Sequence, residues 1–223
     1  MSEKIALVTG ASRGLGFAVA RELGANGWHV VGLARTVGGL EDLADVIEAS
    51  GGSTTLVPLD ITDDAGLARM ARAIHDRWGH LDLLVHCAAH AEPLSPAGHV
   101  SDKELDRCLA VNARATQRLI VMCDPLLKAC NDGQAVLVTD TECAGKPFYS
   151  AYGTSKVAAK SFWDSWAAES QQLGPKVRYF AAKAMPTALR ARFHPGEDRN
   201  TLEPCVNEAS RLMAQINGDL ENT

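Results

Sequence analysis

The apolar residues of this chain fall into two alternating rhythms. Short runs of aliphatic and β-branched residues predict strands at Ile5–Thr9, His29–Ala34, Thr54–Leu59, Leu81–Cys87, Ala135–Thr139 and Lys176–Ala181. Between them, longer stretches with helical spacing predict helices near Leu15–Asn26, Leu40–Ala49, Asp63–Trp78, Asp102–Ala129 and Ser150–Gln172. Asn26-Gly27, Gly51-Gly52 and Asn131-Asp132-Gly133 punctuate the helix ends. Ser101 with Glu104 three residues later forms a capping box that starts the fourth helix. A last helix near Cys205–Ile216 follows a loop containing Pro186, Pro195 and Pro204. Alternation of strand and helix predicts an α/β fold, a single doubly wound parallel sheet of Rossmann type flanked by helices. Six strands are expected and no seventh. No repeat, low-complexity segment or linker interrupts the pattern, so residues 1–223 read as one domain.

Composition narrows the classes of partner. Hydrophobic residues make up 46% and charged residues 22%, ordinary for a soluble globular protein. A net charge of −5 without a basic cluster argues against nucleic acid. No apolar run approaches the ~20 residues that a membrane span requires. Met-Ser-Glu-Lys leads straight into an apolar strand with no signal-peptide pattern, so a cytoplasmic location is expected. The six cysteines (87, 108, 123, 130, 143 and 205) contain no Cys-x-x-Cys pair and read as reduced thiols. His86 and His90 stand four apart but flank a strand end with no carboxylate motif nearby, so no metal site is expected.

Candidate chemistry begins after the first strand. Gly10, Gly14 and Gly16 lie between that strand and the first helix, the context of a dinucleotide fingerprint. Absent Cβ atoms permit the tight turn and let backbone approach a pyrophosphate on the helix N-terminus. About 20 residues further on, a carboxylate would hold a ribose 2′-hydroxyl. Here the second strand ends Gly32-Leu33-Ala34-Arg35 with no acid at its tip. Arg35, with Arg13 inside the turn, can instead meet a 2′-phosphate, which predicts NADP(H) rather than NAD(H).

Far downstream, Tyr152-Gly-Thr-Ser-Lys156 sets a phenol and an ammonium four residues apart, on one face of a helix. A fixed positive charge favours the phenolate, so Lys156 is expected to bring the Tyr152 pKa down toward a working range for acid/base catalysis.

Together these motifs resemble the short-chain dehydrogenase/reductase family over nearly the whole length. Thr-Gly-x-x-x-Gly-x-Gly at 9–16 and Tyr-x-x-x-Lys at 152–156 match its two principal motifs. Asp60, with Ile61 beside it, matches the acid that contacts the adenine ring, and Asn112 the asparagine that holds a proton-relay water. The resemblance implies hydride exchange between nicotinamide and a carbonyl/alcohol substrate. Tyr152 would then be the acid/base, Lys156 the ribose-binding activator, Asn112 the relay and Thr139 the oxygen-positioning hydroxyl. Thr139 occupies the usual serine position 13 residues before the tyrosine, beside the charged Asp140, and Thr141 is its fallback. Ser12 and Leu15 in the turn, Cys87, Ala88 and Ala89 after the fourth strand, and Thr187 complete the implied cofactor contacts. The loop at about 183–204 would cover the substrate.

Departures matter as well. His86-Cys87-Ala88-Ala89 stands where the family has Asn-Asn-Ala-Gly, so Cys87 replaces the asparagine that ties the central strands together. The Pro-Gly after the sixth strand is missing. Lack of a seventh strand makes the family's tetramer a poor expectation. Dimerisation through the fourth and fifth helices stays open, with Phe162, Trp163 and Trp166 either as contacts or as interior packing. Arg190, Arg192 and Arg199 could draw an acidic substrate or be solvated surface, and His90 could line the pocket or lie on the surface. These departures leave a second reading beside the enzyme, a non-catalytic NADP(H)-binding sensor or scaffold.

Overall fold

The computed structural model describes residues 3–218. Six strands, β1 (Lys4–Thr9), β2 (Trp28–Ala34), β3 (Ser53–Pro58), β4 (Leu83–His86), β5 (Gln134–Thr139) and β6 (Lys176–Ala181), form one sheet in the order β3-β2-β1-β4-β5-β6. Every neighbouring pair is parallel. Parallel neighbours need long crossovers, which the helices supply. They are α1 (Gly14–Ala25), α2 (Val37–Ala49), α3 (Asp64–Trp78), α4 (Asp102–Cys108), α5 (Ala115–Lys128), α6 (Ser150–Glu169), α7 (Ala188–Phe193) and α8 (Cys205–Asn217). No seventh strand occurs among the described residues. The winding direction reverses between β1 and β4, and such a reversal opens a crevice at the carboxyl ends of the strands.

Side-chain alternation along the strands builds two cores. Ala6 and Val8 of β1 face a layer that includes Leu23, Leu43, Leu212 and Ile216, whereas Ile5 and Leu7 face Leu67, Ile74, Leu119 and Trp163. Trp163 and Trp166 are buried there with rings crossing at 90°. The Trp163 indole donates to the Arg178 carbonyl at 3.0 Å and that of Trp166 to Asp124 at 2.8 Å. The two tryptophans are therefore interior packing and not subunit contacts. Phe162 on the same helix is exposed, as are Val157 and, on α5, Val121.

Two expected elements differ in ways that shape the site. β4 is shorter than predicted because the Asp82 carboxylate, at 2.7 Å, accepts the Ile5 N–H at its start. At its other end the Ala88 N–H turns onto the Thr9 hydroxyl at 3.2 Å. The predicted fourth helix, Asp102–Ala129, is interrupted by a π-turn at Leu109–Arg114. Such turns concentrate at functional positions because the extra residue re-aims a side chain. Here it contains Asn112, which is buried. No described helix is long and apolar enough to cross a membrane.

Candidate active site

The glycine turn leaves β1 with the Gly10 and Ala11 amides both donating to the Leu33 carbonyl, at 2.8 and 3.2 Å. Gly10 has φ +72° and Gly14 φ +59°, left-handed conformations that side chains rarely adopt. A Cβ on Gly16 would drive into the Gly10 carbonyl, and one on Gly10 would come within 3.0 Å of the Ala88 backbone. The turn is thus packed hard against the segment after β4. Ser12 lies against Gly39 at the start of α2, Leu15 is buried beneath the turn, and Thr187 rests on Gly14. No side chain caps α1 and its first turn holds no acid. Its amides and dipole are therefore available to an anion, and the cradle fits a dinucleotide pyrophosphate. Arg13 is extended and exposed at the mouth of the turn.

Arg35 stands at the tip of β2 with its guanidinium 3.7 Å from the Asp60 carboxylate, both about half exposed. A pair this open is weak and easily exchanged for a ligand phosphate. Burial works against the Asp60 charge, but hydrogen bonds from the Thr62 amide and hydroxyl, with Arg35 and Arg107, hold its pKa below the usual value. Ile61 beside it is buried in the second core.

Behind the crevice runs a buried chain of hydrogen bonds. His86 Nδ1 meets the Thr9 hydroxyl at 2.7 Å, and His86 Nε2 meets the Thr116 hydroxyl at 2.9 Å. Thr116 in turn donates to the Asn112 carbonyl at 2.6 Å. A carbonyl only accepts, so Thr116 must receive the His86 Nε2–H, and His86 Nδ1 must accept from Thr9. The ring is neutral and protonated on Nε2. This chain joins β1, β4 and the π-turn, and so supplies the tie that Cys87 no longer provides. Cys87 itself is a quiet thiol, its pKa pushed up to about 12 by burial against a smaller opposing effect of Lys156.

Burial, with Lys156 nearby, holds the His86 pKa at about 3. Its unfolded counterpart takes up a proton below about pH 6.5, while the folded ring stays neutral. The stability this group contributes is therefore complete above about pH 6.5 and is lost as pH falls toward about 3. At pH 5 the loss amounts to about 2 kcal/mol. Urea unfolding at pH 7.5 and 5.0 should show His86→Gln losing less stability than the parent, by about that amount. His29, also lowered by burial, contributes equally to both proteins. Equal losses in the two would refute the assignment.

Asn112 uses its whole amide. Its Oδ1 accepts the His90 N–H at 2.7 Å, while Nδ2 donates to the His90 carbonyl and the Ser155 hydroxyl, both at 2.8 Å. Ser155 in turn donates to the Tyr152 carbonyl at 2.7 Å. The π-turn thereby fixes both the loop after β4 and the first turn of α6. With both amide hydrogens committed, a water held here would donate to an Asn112 oxygen, of the side chain or the main chain, rather than accept from the amide. Ala89 lies in that loop, and His90 is buried with its Nε2 2.6 Å from Glu92 rather than on open surface.

Tyr152 and Lys156 are both buried on α6. The lysine ammonium donates to the Val138 carbonyl at 3.1 Å, which brings it to the end of β5. The Tyr152 hydroxyl points to the Asp140 carboxylate at 3.3 Å. Burial, then the Asp140 charge, raises the phenol well above its ordinary pKa, while burial lowers that of Lys156. The expected depression of the Tyr152 pKa by Lys156 is thus corrected. The phenol donates to the Asp140 carboxylate, while Lys156 donates to the Val138 carbonyl. Thr139 at the end of β5 has a buried hydroxyl with no partner among the described residues. Thr141 opens a short 3₁₀ turn (Thr141–Cys143) beyond it.

The segment 183–204 folds back across this end. Phe193 of α7 is buried with its ring centroid 5.0 Å from that of Tyr152 and 4.9 Å from that of Tyr149. Nothing in the sequence of that loop distinguished Phe193, because an isolated aromatic between prolines carries no period. Ser155 and Thr116 were equally silent, as small hydroxyls in helices are usually incidental. The loop arginines are engaged: Arg190 grips Glu197, Arg192 donates to the Ala91 carbonyl and Arg199 to the Pro186 carbonyl.

A family model described as short chain dehydrogenase matches residues 4–198. The chain belongs to the short-chain dehydrogenase family. A fatty acyl-CoA reductase from Acinetobacter baylyi is 31% identical over 163 residues, covering 71% of this chain but 55% of that relative. The chain thus spans a little over half the length of that relative. Among solved structures, an oxidoreductase, yciK, from E. coli superposes with a TM-score of 0.88 at 25% identity, covering 97% of this chain and 90% of that one. A metagenomic short-chain oxidoreductase in complex with NADP superposes at 0.82 with 26% identity, covering 96% and 90%.

Proposed function

We propose that this short-chain dehydrogenase is an NADP(H)-dependent oxidoreductase acting on a carbonyl/alcohol pair, located in the cytoplasm. The observation that carries the reading is the burial of the Tyr152 phenol and the Lys156 ammonium together at the end of β5. The glycine cradle and its two arginines lie across the same crevice. A similar fold with NADP bound supports the choice of cofactor.

When bound, the reduced dinucleotide supplies the hydride. Gly10, Ser12, Gly14, Leu15 and Gly16 would hold its pyrophosphate, and Arg13 and Arg35 its 2′-phosphate. Asp60 and Ile61 would flank the adenine, while Cys87, Ala88, Ala89 and Thr187 border the path toward the nicotinamide. The chain's own groups handle the proton. The Tyr152 phenol is protonated at neutral pH and can donate to a substrate oxygen, with burial and the Asp140 charge making it a weaker acid than a free tyrosine. The unpartnered Thr139 hydroxyl would orient that oxygen. Lys156 would bind ribose hydroxyls and lead replacement protons in, with Asn112 keeping the surrounding backbone in place.

A non-catalytic binder is not favoured, because binding alone does not call for Tyr152, Lys156 and Asn112 together. For assembly, a homodimer through α5 and α6 is the form the proposal carries, with Phe162 rather than the tryptophans at the contact. Consumption of NADPH against a panel of ketones and aldehydes tests the enzyme reading. Turnover of at least one supports it, and tight NADPH binding with no turnover across the panel would replace it with the binder.

A further inference from the structure

Asp140 is the feature of the site that the proposed reaction does not use. A neutral ketone accepting a hydride develops negative charge on the oxygen that takes the Tyr152 proton. Yet the carboxylate of Asp140 lies 3.3 Å from that phenol oxygen. Its backbone is fixed, since the Asp140 carbonyl accepts the Cys143 thiol at 2.8 Å and Asp140 heads the 3₁₀ turn at Thr141–Cys143. A negative charge next to a forming oxyanion opposes reaction unless something positive lies between.

Asp140 is exposed, and Lys156 and Arg190 act on it electrostatically, but neither forms an ion pair with its carboxylate among the described residues. Lys156 donates to Val138, and Arg190 is held bidentately by Glu197 at 2.7 and 2.6 Å. Arg192 is 2.9 Å from the Ala91 carbonyl. The charged groups lining the small cavity against Tyr152 are both acids, Glu92 paired with His90 and Glu104 bound to Ser101. A positive charge in direct contact with the carboxylate is left for the substrate to bring.

We infer that Asp140 selects a substrate carrying a protonated amine on the carbon next to its carbonyl, an amino ketone reduced to an amino alcohol. This rests on the oxidoreductase reading and names the substrate class of the same site. The ammonium, one carbon from the carbonyl, reaches the carboxylate while the oxygen stays on the phenol. In the reaction the carbonyl carbon gains the hydride supplied by NADPH, which leaves as NADP⁺. The oxygen gains the Tyr152 proton, which solvent restores. The ammonium keeps its charge throughout and neutralises both the carboxylate and the forming oxyanion.

Three matched probes test this with NADPH: 2-amino-1-phenylethanone, its 2-hydroxy counterpart and phenylglyoxylate. The parent protein should show a kcat/KM for the amine about a hundredfold above that of the hydroxy ketone, with the acid lowest. That ratio is the size expected of one electrostatic contact in a transition state. Asp140→Asn and Asp140→Ser should both collapse the ratio toward unity, by slowing the amine and speeding the hydroxy ketone. A parent that prefers the hydroxy ketone, or a ratio unmoved in both variants, overturns the inference. Calorimetric binding of 2-amino-1-phenylethanol to the NADP⁺-saturated protein separates it from the parent reading. Asp140-dependent binding of the amine without turnover of any probe would keep the charge selection and remove the oxidoreductase. Failure of the amine to bind more tightly to the parent than to Asp140→Asn would remove the charge selection.

Discussion

Tyr152→Phe is expected to lower kcat for carbonyl reduction by about a thousandfold, within the range measured for loss of a positioned general acid. The phenylalanine keeps the edge contact with Phe193, so the shape of the site survives. The lost hydroxyl has one partner among the described residues, Asp140 at 3.3 Å and largely outside the core. Stability should therefore change by less than about 1 kcal/mol. NADPH affinity should stay within about threefold, because the phenol is assigned to the substrate oxygen and not to the phosphates. Steady-state kinetics beside urea unfolding separate these quantities. Undiminished kcat in a folded variant would remove Tyr152 from the chemistry. A thousandfold loss with an equal loss of NADPH binding would mean that the tyrosine serves the cofactor instead.

Asn112→Ala should be the most destabilising single substitution around the crevice, costing about 3–5 kcal/mol. The asparagine is buried and makes three side-chain hydrogen bonds of 2.7 to 2.8 Å. Alanine would leave the buried His90 N–H and carbonyl without partners and open a small void in the π-turn. Because those bonds join the loop after β4 to the first turn of α6, activity should fall with stability even where the protein remains folded. Urea unfolding measures the first effect and kcat below the transition the second. A cost under about 1 kcal/mol would show that backbone contacts alone hold the turn.

The legible parts of this molecule were those with a period or a fixed spacing. Strand and helix positions emerged because each element has a buried face, and β1 displays it plainly in Ile5, Leu7, Ala6 and Val8. The glycine turn was legible because its geometry excludes side chains at Gly10 and Gly16. What escaped was decided in three dimensions. A helical pattern from Asp102 to Ala129 does not reveal that one extra residue forms a π-turn around Asn112. The spacing from Tyr152 to Lys156 places both on one face but says nothing of Lys156 turning to Val138 or of Asp140 facing the phenol. Phe162, Trp163 and Trp166 read alike in sequence, yet the position of each around α6 sends the tryptophans inward and leaves Phe162 exposed.

Isothermal titration of the protein with NADPH and with NADH shows whether the crevice is built for a 2′-phosphate. NADPH should bind at least about tenfold tighter, with the gap largely erased in a protein carrying Arg13→Ala and Arg35→Ala, since both are assigned to the 2′-phosphate. Equal affinity for the two cofactors would contradict the phosphate clamp, and binding of neither would contradict the oxidoreductase itself.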